Sequence, residues 1–285
     1  MRHGQIQTPD TDLRGLPGVD GVRAASGVGP SRRTDRTGRA ELGAFIGAAS
    51  LAVLLQACAS TETVTRPLAD PAPELEATFL EATRPTRPAI LIFDWRLNER
   101  GSRVEGQGVA RLEPPDRVRL DLFTENGETA ARAALVRGDL RVPPDVDRRL
   151  VPPPPLLWAS LGIFHPGDGF ELLGGERLVT SGEEDDRQGR DEERIRLRYR
   201  APSGEEARFV FESSRLLTAE LLEGGTVVER VELEGSAVGS SGGDPPYPSA
   251  AAYRDRSAFR ELRVVLEEIR EPTDPFSSDI WFPQW

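Results

Sequence analysis

The sequence holds one cysteine, two histidines and no lysine, and each scarcity removes a class of chemistry. Cys58 has no partner for an internal disulfide. With only His3 and His165 beside it, no zinc ligand set can be assembled. His165 follows an apolar stretch and precedes Pro166, a place for a capping or structural imidazole rather than a catalytic one. Acids are plentiful, but Glu183, Glu184, Asp185 and Asp186 are consecutive, as in a solvated loop, and lack calcium-loop spacing. Gly106 and Gly108 fall in mid-strand with no helix behind them, so they mark a bend rather than a phosphate cradle. No catalytic set emerges, and neither a metal nor a cofactor is called for. The chain reads as a binding or structural protein, not an enzyme.

Positive charge is short as well. All 36 basic residues are arginine, against 47 acids; seven of those arginines and five of those acids lie before Cys58. The remainder therefore carries 29 against 42, a net charge of −13. That argues against nucleic acid and anionic membrane surfaces as partners, because phosphate binding needs positive charge.

Long apolar runs are rare, and the one that exists is informative. Leu42 to Leu55 is broken only by small residues and is shorter than the roughly 20 apolar residues a membrane-spanning helix needs. Arg32, Arg33, Arg36 and Arg39 precede it, and Leu55-Gln56-Ala57-Cys58 ends it. Basic, apolar and small-residue zones in that order make an export signal. The last four residues resemble the bacterial lipobox, whose cysteine becomes a lipid-modified N-terminus. Residues 1–57 are expected to be the signal, with a start that extends beyond the usual length. Val22 or Val28 would serve as the initiator. Ser31-Arg32-Arg33 is a fragment of a twin-arginine signal without the apolar residues that should follow, which favours the general export route. Ala59, rather than Asp, is the residue the resemblance associates with forwarding to the outer membrane.

Residues 58–88 are polar, with proline at 67, 71, 73, 85 and 88, and read as a flexible tether with at most a short helix at 73–82. From Ala89 the period changes to two. Leu91, Phe93, Trp95 and Leu97 share one face of a strand while Asp94, Arg96 and Asn98 share the other. "RVEGQGVARLE", "RVRLDLF" and "AARAALVRGDLRV" continue the alternation, with Asn126-Gly127 as a hairpin turn. "PPPPLLWASLGIFHPG" then predicts a short apolar helix ended by Pro166-Gly167. Further strands are expected near 170–173, 176–180, 194–200, 207–212, 216–222, 226–233 and 259–269. Residues 183–193 are expected to be a solvated loop, and "GSAVGSSGGDPPYPSAAAY" a flexible connection. The fold expected for 89–285 is mainly β: an antiparallel, strongly curved half-open barrel of about eleven strands with the helix capping its concave face.

That order of elements resembles the LolA/LolB-like lipoprotein-localisation family across "WRLNERGSRVEGQGVARLEPPDRVRLDLFTENGETAARAALVRGDLRV", "PPLLWASLGIF" and the closing "FRELRVVLEEIREPTDPFSSDIWFP". The resemblance implies a half-barrel whose cavity takes the acyl chains of lipoproteins or another lipid. It also implies a lipid anchor at Cys58 on the inner leaflet of the outer membrane, facing the periplasm. One departure stands out: the loop that carries an apolar membrane-inserting residue in the anchored branch reads Thr124-Glu125-Asn126-Gly127 here. Candidate lipid-binding residues are Phe93, Trp95, Leu120, Leu122, Leu135, Leu157, Trp158, Leu161 and Phe164. Expected partners are lipid acyl chains, lipoproteins and other envelope transport proteins, with the chain itself acting as a monomer. The alternative is a structural envelope lipoprotein whose core is filled and binds no ligand.

Overall fold

A computed structural model of the chain describes residues 62–68, 72–146, 148–181, 194–236 and 247–282. Cys58 and the acidic run at 183–186 lie outside the described residues. The chain is mainly β, in one antiparallel sheet that is curled but not closed. Its strands are β1 (Glu62–Pro67), β2 (Ala89–Glu99), β3 (Ser102–Glu113), β4 (Arg117–Thr124), β5 (Thr129–Val136), β6 (Asp139–Arg141) and β7 (Glu171–Ser181). The rest are β8 (Arg194–Arg200), β9 (Glu206–Glu212), β10 (Arg215–Glu223), β11 (Thr226–Glu234), β12 (Ala250–Asp255) and β13 (Arg260–Arg270). Helices α1 (Ala72–Thr83) and α2 (Pro154–Ser160) precede β2 and β7.

Two meanders, β2–β6 and β7–β13, are joined by the pairing of β13 with β2, and β1 adds to the outer side of β7. Among the described residues thirteen strands replace the eleven expected, with β1 and β6 as the two edges of the sheet. The additions have clear causes. The stretch read as a tether supplies β1 and α1. The stretch read as two strands at 170–180 is one strand, β7, with a bulge between Leu172 and Gly174. The stretch read as the end of a flexible connection supplies β12, zipped between β11 and β13.

The turns set the register. Arg100–Gly101, Arg137–Gly138 and Gly224–Gly225 each have φ positive at both positions, the type I′ geometry that matches strand twist. The Asn126-Gly127 hairpin is wider than a two-residue turn: Thr124 N–H donates to the Glu128 carbonyl at 2.8 Å and residues 125–128 form the loop. Following the pairings, turns 100–101, 125–128, 201–205, 224–225 and 256–259 share one end of the sheet, the upper rim. Turns 114–116, 137–138 and 213–214 share the lower rim, and Glu62, opposite Ser181, is there too.

The concave face is apolar and the convex face is charged. Arg–carboxylate pairs run over the outside, among them Arg96–Glu105, Arg263–Glu234, Arg230–Glu220 and Arg196–Glu176. Exposed pairs of this kind contribute little stability. Their placement nonetheless decides one point: a membrane-embedded barrel would be apolar outside and polar within, the reverse of this sheet. The C-terminal segment crosses the outer side of β4. Arg119 there is clamped to Asp121 and donates to the Ile280 carbonyl at 3.0 Å. Trp281 is fully buried against Phe276, with ring centroids 5.6 Å apart, and Arg141 lies over the Phe282 ring.

Candidate functional site

Both helices lie on the concave face, and they cover different interiors. Under α1, Phe79 stacks on Phe211 at 3.9 Å with nearly parallel rings. Phe164 meets Phe209 and Phe211 edge-on at 5.0 Å and Tyr199 at 6.0 Å. Tyr199 donates its hydroxyl to Glu76 of α1 at 2.9 Å, and burial together with that carboxylate pushes the phenol well above its ordinary range. The Phe164 N–H donates to Thr83 Oγ1, which itself donates to the Phe79 carbonyl, locking the segment after α2 to the end of α1. These rings pack closely against one another.

Under α2 the walls are aliphatic and enclose an apolar chamber of about 60 Å³. Leu91 and Phe93 of β2, Leu120 and Leu122 of β4, and Leu157 and Leu161 at α2 form one side. Ala250, Ala251 and Tyr253 of β12, and Leu262, Val264 and Leu266 of β13 form the other. A second cavity of about 200 Å³ opens at the lower rim, lined by Ala82, Thr83, Gly162, Leu216 and Leu233, with Ser214 and Arg215 at its edge. The two share Pro248, whose ring would sit 2.8 Å from a Cβ at Gly162.

Gly162 also ends α2. At φ 77° it donates to the Ala159 carbonyl while the Ile163 N–H reaches the Trp158 carbonyl, the paired bonds of a Schellman cap. The helix thus stops five residues before the Pro166-Gly167 signal, which leaves Ile163 and Phe164 free to turn into the core. Proline before and within its first turn starts the helix where N–H groups have no partner to lose.

The mid-strand glycines are explained by close approach. Gly108 pairs with Phe93 and Gly106 with Trp95 across β2 and β3. A Cβ at Gly108 would lie 2.3 Å from the Phe93 ring, and one at Gly106 would lie 1.9 Å from the Phe123 carbonyl oxygen. The Phe93 ring therefore lies against Gly108, while Gly106 admits the β4 backbone. The Trp95 indole N–H divides its hydrogen bond between the Gln107 and Phe123 carbonyls, both at 3.0 Å.

Of the nine apolar candidates, Phe93, Leu120, Leu122, Leu157 and Leu161 line the chamber. Trp95, Leu135, Trp158 and Phe164 are not in its wall. Leu135 is fully buried in the core, Phe164 belongs to the aromatic cluster, and Trp158 packs on His165 with centroids 5.7 Å apart. Burial holds the His165 imidazole below its usual pKa. Sequence reasoning missed the β12 and β13 wall, which alternation within β13 could have revealed, and it missed a carboxylate on the inner face. Glu229 of β11 accepts the Tyr253 hydroxyl at 3.0 Å. Desolvation raises its pKa, and Asp255, Glu205 and Glu223 add to the rise while the tyrosine bond opposes it. Among the described residues no cluster of three or more His, Cys, Asp or Glu is placed to hold a metal ion. No described helix is long and apolar enough to cross a membrane.

The chain is similar to several solved structures. A LolA superfamily protein from Nitrosomonas europaea matches at 12% identity over 73% of this chain and 96% of its own, with a TM-score of 0.48. A domain described as an outer membrane lipoprotein-sorting protein from Vibrio parahaemolyticus matches at 9% identity over 73% and 94%, with a TM-score of 0.44. A DUF1329 family protein from Desulfovibrio piger matches at 9% identity over 75% and 98%, with a TM-score of 0.45. At such identities the likeness is one of chain course. No family model matches the sequence, and no curated protein matches it.

Proposed function

We propose that this protein is a lipid-binding lipoprotein of the cell envelope, anchored through acyl chains on Cys58 to the inner leaflet of the outer membrane. It accepts acyl chains of lipoproteins or other lipids on the concave side of its half-barrel. The supporting observation is the aliphatic chamber under α2, walled by five of the residues expected to meet a lipid and roofed by one short helix. The chemistry needs no cofactor. Burying about fourteen methylenes supplies on the order of 11 kcal/mol gross at ~0.8 kcal/mol each, so a charged contact is not required for affinity.

At about 60 Å³ the chamber has room for roughly four to six water-sized probes, far short of a whole acyl chain. Uptake therefore requires α2 to move away from the β12–β13 wall. The same small volume favours a second reading, a structural envelope lipoprotein with a closed core. Native mass spectrometry of the purified protein separates the two. A co-purified lipid, lost on widening or filling the chamber, supports binding; a bare chain that takes up no added fatty acid supports the structural role. Anchoring is tested by Cys58→Ala, which is expected to abolish acyl labelling and release the protein from the membrane fraction, since several acyl chains together give stable attachment.

A further inference from the structure

The cavity of about 200 Å³ at the lower rim is graded from polar to apolar. At its mouth stand Ser214, exposed in the turn between β9 and β10, and Arg215 at the start of β10. Leu233, Thr83 and Leu216 line it further in, and the last two are buried. At Pro248 it meets the aliphatic chamber under α2. It has room for roughly thirteen to twenty water-sized groups, enough for much of one acyl chain and too little for several. A space that is apolar within and carries a cation at its mouth suits an amphiphile.

The cation is loosely held. Arg215 donates through Nη1 to the Gly235 carbonyl at 3.2 Å and through Nη2 to Glu212 at 3.3 Å, both long for bonds to a charged group. Glu212 lies closer to Arg194, at 2.9 Å, so one carboxylate is shared by two guanidiniums. Glu234, next to Gly235, is taken by Arg263 at 2.7 and 3.0 Å. The mouth is therefore locally short of one negative charge. The rim around it is not. Residues 182–193, which join β7 to β8 at this end, hold seven acids against two arginines, and Glu271 is paired with Arg87. The rim thus offers an anion no long-range attraction, and a head group with several negative charges is repelled. A single carboxylate, within hydrogen-bond reach of a planar guanidinium and of the Ser214 hydroxyl, is what the local charge matches.

We propose that this cavity is the head-group end of the lipid site: Arg215 and Ser214 receive the carboxylate of a free fatty acid, whose chain runs inward past Leu216 and Leu233 toward Pro248. This deepens the reading of the protein as lipid-binding and rests on it. The tail supplies the affinity and the arginine selects the head. The test is displacement of a pyrene-tagged fatty alcohol from the purified protein by hexadecanoic acid, hexadecanol and hexadecylamine at neutral pH. The acid is expected to displace the probe at a concentration at least about tenfold below that of the alcohol, as one charge-assisted hydrogen bond allows. Arg215→Met, which keeps the apolar stem, should bring acid and alcohol to parity and leave displacement by the alcohol unchanged. Equal displacement by acid and alcohol in the wild type, a preference for the amine, or an acid preference that survives Arg215→Met overturns the head-group site while the lipid site stands. A wild type that takes up no pyrene probe defeats the lipid-binding reading and the proposal together.

Discussion

The two helices of this protein roof two interiors made of the same sheet. Under α1, five aromatic rings interlock face-to-face and edge-to-face, and each ring fixes its neighbours. Under α2 the walls are leucine, valine and alanine with few rings, and space remains. Aromatic pairs have preferred geometries and contribute beyond their buried area, so a ring cluster is an all-or-nothing structure. Aliphatic walls have no such angular demand and can close on themselves or on a guest. One half is thus closely packed, and the other is the half that the proposed lipid site occupies. The segment after α2 is tied to the end of α1 through the Phe164 N–H and Thr83.

The sharpest way to break this contrast is to delete a ring. Phe211 is fully buried and contacts both Phe79 and Phe164. Phe211→Ala is expected to cost about 3–5 kcal/mol in chemical denaturation and to leave lipid occupancy of the surviving folded fraction unchanged. A cost under about 1 kcal/mol would mean the α1 half is not closely packed.

A second, smaller effect probes the α2 half from behind. Gly108→Ala puts a Cβ into the Phe93 ring, which forms part of the chamber wall. Overpacking of this kind is expected to cost about 1–3 kcal/mol, and the displaced ring should reduce lipid binding as well. Loss of stability with wild-type binding would place Phe93 outside the functional wall.

The smallest effect is a pH dependence. Glu229 titrates above its ordinary range when folded, because burial disfavours its charged form. The folded state therefore binds more protons than the unfolded state between the usual glutamate pKa and the raised value. In that window stability rises as pH falls; below the usual pKa no further gain remains. Glu229→Gln should flatten this slope in a melting series from neutral to mildly acidic pH. An unchanged slope would assign it to another group.

The same contrast explains what could be read from the sequence. Strands with one wet face announced themselves: the alternation of Leu91, Phe93, Trp95 and Leu97 with Asp94, Arg96 and Asn98 is β2. So did α2, whose apolar run has no polar face to hide. β12 did not, because Ala250-Ala251-Ala252 carries no alternation and owes its strand state to pairing with β11 and β13. β1 and α1 were masked by proline. Yet Pro67 ends an edge strand and Pro73 sits in the first turn of α1, both positions where its missing N–H costs nothing. As for the site, chamber residues from β2, β4 and α2 were legible as apolar positions on one face. Which of them face space rather than neighbours depends on how the helix lands, and Leu135, Trp158 and Phe164 lie in the packed interior for that reason. Tyr253 and Glu229 are joined only by the register of β11 against β12.

The most direct test is saturable binding of a fluorescent fatty acid to the wild-type protein and to Leu161→Trp. Leu161 is half-buried at the end of α2 and lines the chamber, so an indole there fills the space without touching the aromatic half. The wild type should bind saturably and release the probe to unlabelled fatty acid, while Leu161→Trp should keep its melting temperature within a few degrees and lose most of that binding. Equal binding by both proteins, or none by the wild type, would contradict the assignment of the α2 chamber as the lipid site.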